Sequence, residues 1–361
     1  MAGLAGEDGG GDGSTALPPG WPVLVTGAGG FVGGHVARAL AGAGYRVRAL
    51  TRREPVVEPG DPPMEWVRGD LCSGPDLAAA VDGVKGVVHC AGWVSMGPDR
   101  RGLARRVNVE ATEALLDRAE RAGVERFVYT STLWTTAAGT PDRPADESSP
   151  WNLDAIRGPY SDTKREAERA VLDRNGPRLR THVICPGLVV GTGDRRPTST
   201  GLLLAMARWP VVILTGGGIP LIDARVLALA HRRALERGEP GRRYVVAGPY
   251  MSYPDMARLV ARLALRPYRQ VVIPDRAASP FRRFITALER ASGGRLGEIN
   301  GTGVAGGFLR LHVSGARADA LFGLTHPDPI VSIYDALDDH RRAGRAPWLK
   351  RLRTPAEAGP V

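Results

Sequence analysis

The stretch VTGAGGFVGG, residues 25–34, constrains the fold of this chain more than any other segment. Gly27, Gly30 and Gly33 recur at every third position, directly after the apolar run Val23–Val25. They open a segment in which Val32, Val36 and Leu40 fall on one helical face, and Gly44 closes it. A second strand pattern, YRVRALTR, follows. Strand, glycine turn, helix and strand within about thirty residues make a βαβ unit. In that setting Gly27 permits the tight turn, Gly30 lets backbone approach a pyrophosphate, and Gly33 allows the helix to pack close on the sheet. The helix start then presents free N–H groups and the positive end of its dipole to phosphates. Gly27, Ala28, Gly29, Gly30, Phe31, Val32 and Gly33 are therefore expected to cradle a dinucleotide.

The alternation continues along the chain. MEWVRGD, GVVHCAG, RFVYTST and RTHVICPGLVVG read as strands, and DLAAAVDGV, ARRVNVEATEALLDRAERAG and YSDTKREAERAVLDRNG as helices. This predicts an α/β, Rossmann-like, doubly wound parallel sheet, covered on both faces and wound by right-handed crossovers. The pattern loosens after Gly191. A helix and a strand within residues 223–248 can rejoin the sheet. SYPDMARLVARLALR reads as an amphipathic helix capped by Ser252, and RQVVIP as a small strand. The expected organisation is a dinucleotide-binding domain over 21–190, with 223–248 returning to it. A smaller, discontinuous C-terminal substrate lobe would comprise 191–222 and 249–346, with the substrate in the cleft between the two. The Gly-rich, acidic residues 1–20 are expected to be disordered, and 347–361 to form a basic tail.

Composition narrows the function classes. The net charge is +10, but the arginines are scattered and no basic run is interleaved with aromatics. Such a charge bears on solubility, and nucleic acid is not expected as a partner. The first residues lack the basic and apolar stretches of a signal peptide. The longest apolar run, GLLLAMARWPVVIL, is broken by Arg208 and Pro210 and is too short for a bilayer, so no membrane partner is expected. Cys72, Cys90 and Cys185 show no metal-type spacing, which predicts buried thiols, no metal and a reducing, cytoplasmic setting. The chain relies on arginine, and its lysines are Lys85, Lys164 and Lys350.

At the end of the second strand an NAD site commonly places a carboxylate on the ribose 2′-hydroxyl. This chain has Thr51, then Arg52 and Arg53. Guanidinium groups there suit a 2′-phosphate, so NADP(H) is expected in preference to NAD(H). Asp70, followed by Leu71, ends the third strand, where its carboxylate could meet the adenine amine or cap the next segment. Three further pieces fall where parallel strands should end, which is where such sheets bind ligands. Ala91 and Gly92 are small enough for backbone to pass near the cofactor. Ser131 and Thr132 bring hydroxyls, and Tyr160 and Lys164, four apart, share a face of the next helix. A hydroxyl, a phenol and an ammonium converging beside a dinucleotide form a proton-transfer device.

With Gly27, Gly30, Gly33, Thr132 and Tyr-x-x-x-Lys in this order, the chain resembles the extended short-chain dehydrogenase/reductase superfamily, from Val23 to about Gly344. VNVEATEALLDRA, ADESSP, CPGLVVGTGD and SGARADALFGL also look like its signatures. The resemblance implies that Tyr160 is the general acid/base and that Lys164 lowers its pKa and bonds the nicotinamide ribose. It implies that Thr132 binds the substrate oxygen, with Ser131 a neighbour whose hydroxyl could substitute. It further implies Pro186 and Gly187 beside the nicotinamide, and Asn108 ordering a strand or water nearby. Leu133 and Trp134 stand where similar dehydratases carry an Asp-Glu pair, which argues against water elimination. GGGIPLID looks like the dihydroflavonol reductase and hydroxysteroid dehydrogenase branch, and Trp93, Trp134 and Val189 would contact a hydrophobic substrate. The expected activity is hydride transfer to or from the carbonyl/alcohol pair of a small molecule such as a steroid, a flavonoid or another secondary metabolite. Two alternatives stay open: a nucleotide-sugar 4-epimerase or ketoreductase, with Arg195 and Arg196 on a phosphate, and a redox-silent NADP(H) sensor or scaffold. Similar proteins often pair through two helices, which would make a homodimer.

Overall fold

The computed structural model describes residues 17–99, 101–292 and 300–359. The glycine turn joins β1 (Pro22–Thr26) to α1 (Phe31–Gly42), and β2 (Arg46–Thr51), β3 (Glu65–Arg68), α2 (Gly74–Val81) and β4 (Gly86–His89) follow. A short helix α3 (Leu103–Arg105) runs through a π-helical turn, Arg106–Glu110, into α4 (Ala111–Arg121). Then come β5 (Arg126–Thr130), α5 (Pro159–Asp173), β6 (Arg180–Pro186), β7 (Leu188–Val190), α6 (Gly201–Arg208), β8 (Val211–Thr215), β9 (Gly218–Asp223), α7 (Ala224–Arg237) and β10 (Arg242–Val246). The last part holds β11 (Tyr250–Ser252), α8 (Tyr253–Leu263), β12 (Arg269–Ile273), α9 (Ala278–Ala291), α10 (Gly301–Phe308), α11 (Ala316–Phe322), α12 (Pro329–Arg342) and α13 (Pro355–Ala358).

Seven strands form the main sheet in the order β10-β6-β5-β4-β1-β2-β3. Every neighbouring pair is parallel. The reason lies in the strand sequences. Val23 and Val25 of β1 pack into one helical layer with residues of α1 and α7, while Leu24 packs into the other with residues of α2, α4 and α5. Strands buried on both faces read as continuous apolar runs, as these do. The winding direction reverses between β1 and β4, where Thr26 pairs with His89. That crevice, outside the carboxyl ends of the strands, is where an open α/β sheet binds ligands.

The later residues build smaller units. β7, β9 and β11 form a three-stranded sheet, and β8 and β12 a parallel pair. Residues of α6, α8 and α12 close a separate apolar cluster around them. Ser252 caps α8, accepting the Asp255 N–H at 3.1 Å. β10 does return to the main sheet, beside β6.

Several expectations need correcting. Residues 347–359, expected as a basic tail, pack against the body of the protein: Leu349 is buried, the Arg353 N–H bonds the Leu263 carbonyl at 2.8 Å, and a capping box at Thr354 and Glu357 starts α13. At the other end, residues 1–16 lie outside the described residues, while the Gly20 N–H bonds the Gly44 carbonyl at 2.8 Å. β3 stops at Arg68, and the Asp70 N–H donates to the Asp76 carboxylate at 2.7 Å. Cys185 is buried, but Cys72 and Cys90 are only partly so. Among the described residues no helix is long and apolar enough to cross a membrane.

Candidate active site

The glycine turn is shaped by contacts that leave no room for a side chain. Gly27 has φ of +69°, and a Cβ there would lie 2.8 Å from the Ala91 nitrogen. A Cβ on Gly33 would lie 2.3 Å from the Gly27 carbonyl oxygen. Gly30 is the N-cap of α1, with no side chain capping it and no acidic residue in the first turn. The helix start therefore keeps its N–H groups for an anion, and the cradle fits a dinucleotide pyrophosphate. Ala28 is buried, Gly29 abuts Thr51, and Phe31 and Val32 are half-buried at the start of α1.

At the edge of β2 the Thr51 hydroxyl bonds the carbonyl and N–H of Arg53, at 3.1 and 3.3 Å. Arg52 and Arg53 are left exposed, and neither is ion-paired among the described residues. The loop after β7 arches over the same rim. His35 Nε2 contacts the Thr192 carbonyl oxygen at 2.9 Å, and Arg195 pairs with Glu58. Arg196 is thereby brought near the other two arginines: burial first, then the Arg53 and Arg52 charges, lower its pKa. Asp70 accepts the Cys72 N–H at 2.9 Å, which is the capping role, and it also lines a shallow recess with Arg52, Arg68, Gly69 and Asp76. Leu71 packs into the core.

Thr132, Tyr160 and Lys164 lie where β4 and β5 end and α5 begins. Pro159 starts α5, and its inward face carries Tyr160 and Lys164, 8% and 5% exposed. Burial raises the Tyr160 pKa, and a hydrogen bond with Thr132 opposes that. The Lys164 Nζ donates to the Thr130 carbonyl at 2.6 Å and lies 4.2 Å from the Tyr129 ring centre. Burial lowers its pKa to about 7, with the Glu168 charge the largest opposing influence. A Cβ on Gly92 would sit 3.9 Å from Lys164 Nζ and 3.3 Å from Asn108 Oδ1. Asn108 lies in the π-helical turn, a distortion common at functional sites. Its Oδ1 accepts the Trp93 N–H at 2.7 Å, and its Nδ2 donates to the Trp93 carbonyl and Thr163 Oγ1, both at 3.1 Å. It thus ties the segment after β4 to α5.

Ser131 is turned away from this group. Its Oγ donates to Glu168 Oε2 at 2.6 Å, and Glu168 Oε1 pairs with Arg243 Nη1 at 3.2 Å. Sequence reasoning missed both partners. Glu168 was findable, because it follows Lys164 by one turn on the Tyr160 face. Arg243 gave no signal, since it arrives on β10. His89 was missed as well. Its Nδ1 lies 2.6 Å from Thr26 Oγ1 and its Nε2 2.9 Å from Thr112 Oγ1. Burial lowers its pKa to about 3, so the ring is neutral.

On the substrate side, Thr132 caps the turn Leu133–Thr135, accepting the Trp134 N–H at 3.4 Å. The Trp134 ring is half-buried, and a Cβ on Gly306 of α10 would approach it to 3.3 Å. Trp151 donates to the Trp134 carbonyl at 3.1 Å, and Arg165 covers its ring at 3.8 Å. Trp93 is half-buried on the segment held by Asn108. Val189 departs from expectation: it lies in the core layer against α1 and α7, while the alternation of β7 gives Leu188 to the later cluster. Pro186 ends β6, and Gly187 follows it, so close to the next chain segment that a Cβ would lie 2.5 Å from the Pro220 oxygen.

Comparison with known proteins agrees with the fold. Residues 23–247 match the family model described as the NAD dependent epimerase/dehydratase family. A putative dihydroflavonol 4-reductase of Synechocystis is 34% identical over 229 residues, 62% of this chain and 66% of that protein. A 3 beta-hydroxysteroid dehydrogenase/Delta 5-->4-isomerase of Mycobacterium tuberculosis is 38% identical over 180 residues, 48% of each chain. The matches thus span about half to two thirds of those relatives. The crystal structure of gox2253 superposes with a TM-score of 0.76 at 30% identity, covering 90% of this chain and 99% of that one.

Proposed function

This chain belongs to the NAD-dependent epimerase/dehydratase family of extended short-chain dehydrogenases/reductases, and from that premise we propose that it is an NADP(H)-dependent oxidoreductase acting on the carbonyl/secondary-alcohol pair of a hydrophobic small molecule. The observation that supports this reading is the hydrogen bond between Tyr160 and Thr132, with Lys164 buried on the same face of α5 beside Gly92 and the Thr130 carbonyl, close to the glycine turn. Gly27, Gly30 and Gly33 would hold the pyrophosphate. Arg52, Arg53 and Arg196 would meet a 2′-phosphate, whose charge would relieve their mutual repulsion.

When bound, the nicotinamide supplies the hydride for reduction or accepts it in oxidation. The protein supplies the proton. Burial keeps the Tyr160 phenol protonated, ready to donate to the substrate oxygen as the carbonyl carbon gains hydride. The Thr132 hydroxyl orients the same oxygen. The Lys164 ammonium stabilises the phenolate left behind. Oxidation runs the same steps in reverse, with Tyr160 taking the alcohol proton. A steroid- or flavonoid-like substrate is supported by Trp134 and the apolar cluster after Gly191, and by the names of the relatives. The nucleotide-sugar alternative loses one phosphate ligand, because Arg195 is paired with Glu58.

The purified chain should oxidise NADPH in the presence of steroid or flavonoid ketones. NADPH should be preferred to NADH by at least about tenfold in kcat/KM, the effect of one charge-assisted bond. Interconversion of UDP-sugars with no net NADPH oxidation would overturn the reading.

A further inference from the structure

Three helices, α7, α9 and α12, each run for 14 residues. α7 and α12 bury seven residues each, whereas α9 buries only Ile285. Phe281, one turn before Ile285, is half-buried, so these two mark the inward face of α9. The outward face carries Pro280, Phe284, Ala287, Leu288 and Ala291, all exposed, with Phe284 at 62% and Leu288 at 41%. Steps of four, three, one and three residues set them in a single stripe along the helix. An exposed apolar stripe of this kind marks a contact surface.

Its charges say what covers it. Both acids of residues 275–291 already have partners: Asp275 pairs with Arg310 at 2.8 Å, and Glu289 accepts the Gly301 N–H at 3.1 Å. Arg276, Arg282, Arg283 and Arg290 are exposed, and none is ion-paired among the described residues. Arg283 and Arg290 stand one turn to either side of Ala287, along one edge of the stripe. Their long stems let the guanidinium groups reach a polar layer while the stripe itself is covered by apolar material.

We propose that α9 docks on the surface of an anionic lipid bilayer, with Phe284 and Leu288 among the acyl chains and Arg283 and Arg290 on lipid phosphates. At 14 residues, about 21 Å, the helix is too short to cross a bilayer, so it lies in the plane of the surface. This departs from the expectation of no membrane partner, which the lack of a span suggested. A second copy of the chain is the other candidate occupant. It would bring like arginines together in a protein of net charge +10, which opposes pairing. An anionic surface gains from the same charges, about fivefold in partitioning for each arginine near it. The docking does not rest on the oxidoreductase reading, although a hydrophobic ketone would be met where it dissolves.

The test uses the full chain and vesicles of equal parts phosphatidylcholine and phosphatidylglycerol, with the bound fraction read by sedimentation at low salt. The chain should bind them, and should bind vesicles of phosphatidylcholine alone at least about tenfold more weakly. Phe284→Ser should lower binding to the mixed vesicles by about tenfold or more. Arg283→Gln with Arg290→Gln should lower it roughly 25-fold. Arg121→Gln with Arg178→Gln, which removes two exposed charges from other elements, should change it less than about threefold. Thermal unfolding checks that each variant is folded, and if Phe284→Ser is not, the Arg283 and Arg290 pair decides alone. No binding, equal binding to both vesicles, binding that the α9 variants leave unchanged, or an equal loss from the Arg121 and Arg178 pair would each overturn the proposal. A lipid-free dimer that Phe284→Ser splits, seen by sedimentation equilibrium, would give the stripe to a second copy and overturn it as well.

Discussion

Two walls of the molecule, the carboxyl edge of the main sheet and the face built by β8 and α9, are held to very different standards. On the sheet side the residues around Tyr160 and Lys164 are tied down by buried hydrogen bonds. Thr26 is bonded to His89 and to the Ala91 N–H, Asn108 to Trp93 and Thr163, and Lys164 to the Thr130 carbonyl. On the other side, α9 buries only Ile285, while Phe284 is 62% and Ile213 66% exposed. Proton and hydride transfer tolerate misplacement of only about half an ångström, whereas an apolar substrate can be gripped by surfaces that adapt. Changes on the first wall should therefore alter turnover and cofactor binding. Changes on the second should alter KM and selectivity.

The largest effect tests the first half of that statement. Tyr160→Phe should cut turnover by roughly 10²–10⁴-fold while NADPH binding, measured by fluorescence, changes little. A parallel loss of binding would mean that the phenol supports the site instead of moving a proton. Next, Gly33→Ala puts a Cβ 2.3 Å from the Gly27 oxygen, so the turn must open. NADPH affinity should fall by about 100-fold, and kcat at saturating cofactor should fall less. Unchanged affinity would show that the cradle is looser than its contacts suggest.

The two walls also differed in how far the sequence revealed them. The parallel sheet was legible because its strands are buried on both faces and its helices repeat at 3.6 residues, as in Val32, Val36 and Leu40. Tyr160, Lys164 and Thr132 could be placed by the same signals, Thr132 just past a readable strand and Tyr160 and Lys164 in the first turns of a readable helix. Ser131 was misjudged because adjacent strand-end residues point to opposite sides, and nothing in RFVYTST says which side meets Glu168. Val189 failed on the same point, since a one-residue error in register exchanges core for cleft. Arg243 and the packing of residues 347–359 were beyond reach, because they depend on contacts between segments far apart in sequence. The later elements are short, and their pairing, β7 with β9 and β8 with β12, follows no local period.

The second side can be tested where α10 meets the turn after Thr132. Gly306→Val would press on the Trp134 ring, which a Cβ alone would approach to 3.3 Å. KM for a bulky ketone should rise by about tenfold, with kcat and NADPH affinity nearly unchanged, the pattern of lost ground-state binding. An equal fall in kcat would show that the turn carrying Thr132 moves with Trp134.

The smallest effect compares the walls with a single chemistry. Phe127 of β5 is fully buried, and Phe284 of α9 is exposed. Phe127→Ala removes an aromatic ring from a packed layer and should cost about 3–5 kcal/mol in urea unfolding. Phe284→Ala should stay within about 0.5 kcal/mol, because its ring already meets water. A loss near 2 kcal/mol for Phe284→Ala would mean that the ring is covered in solution, making that wall as closely held as the other.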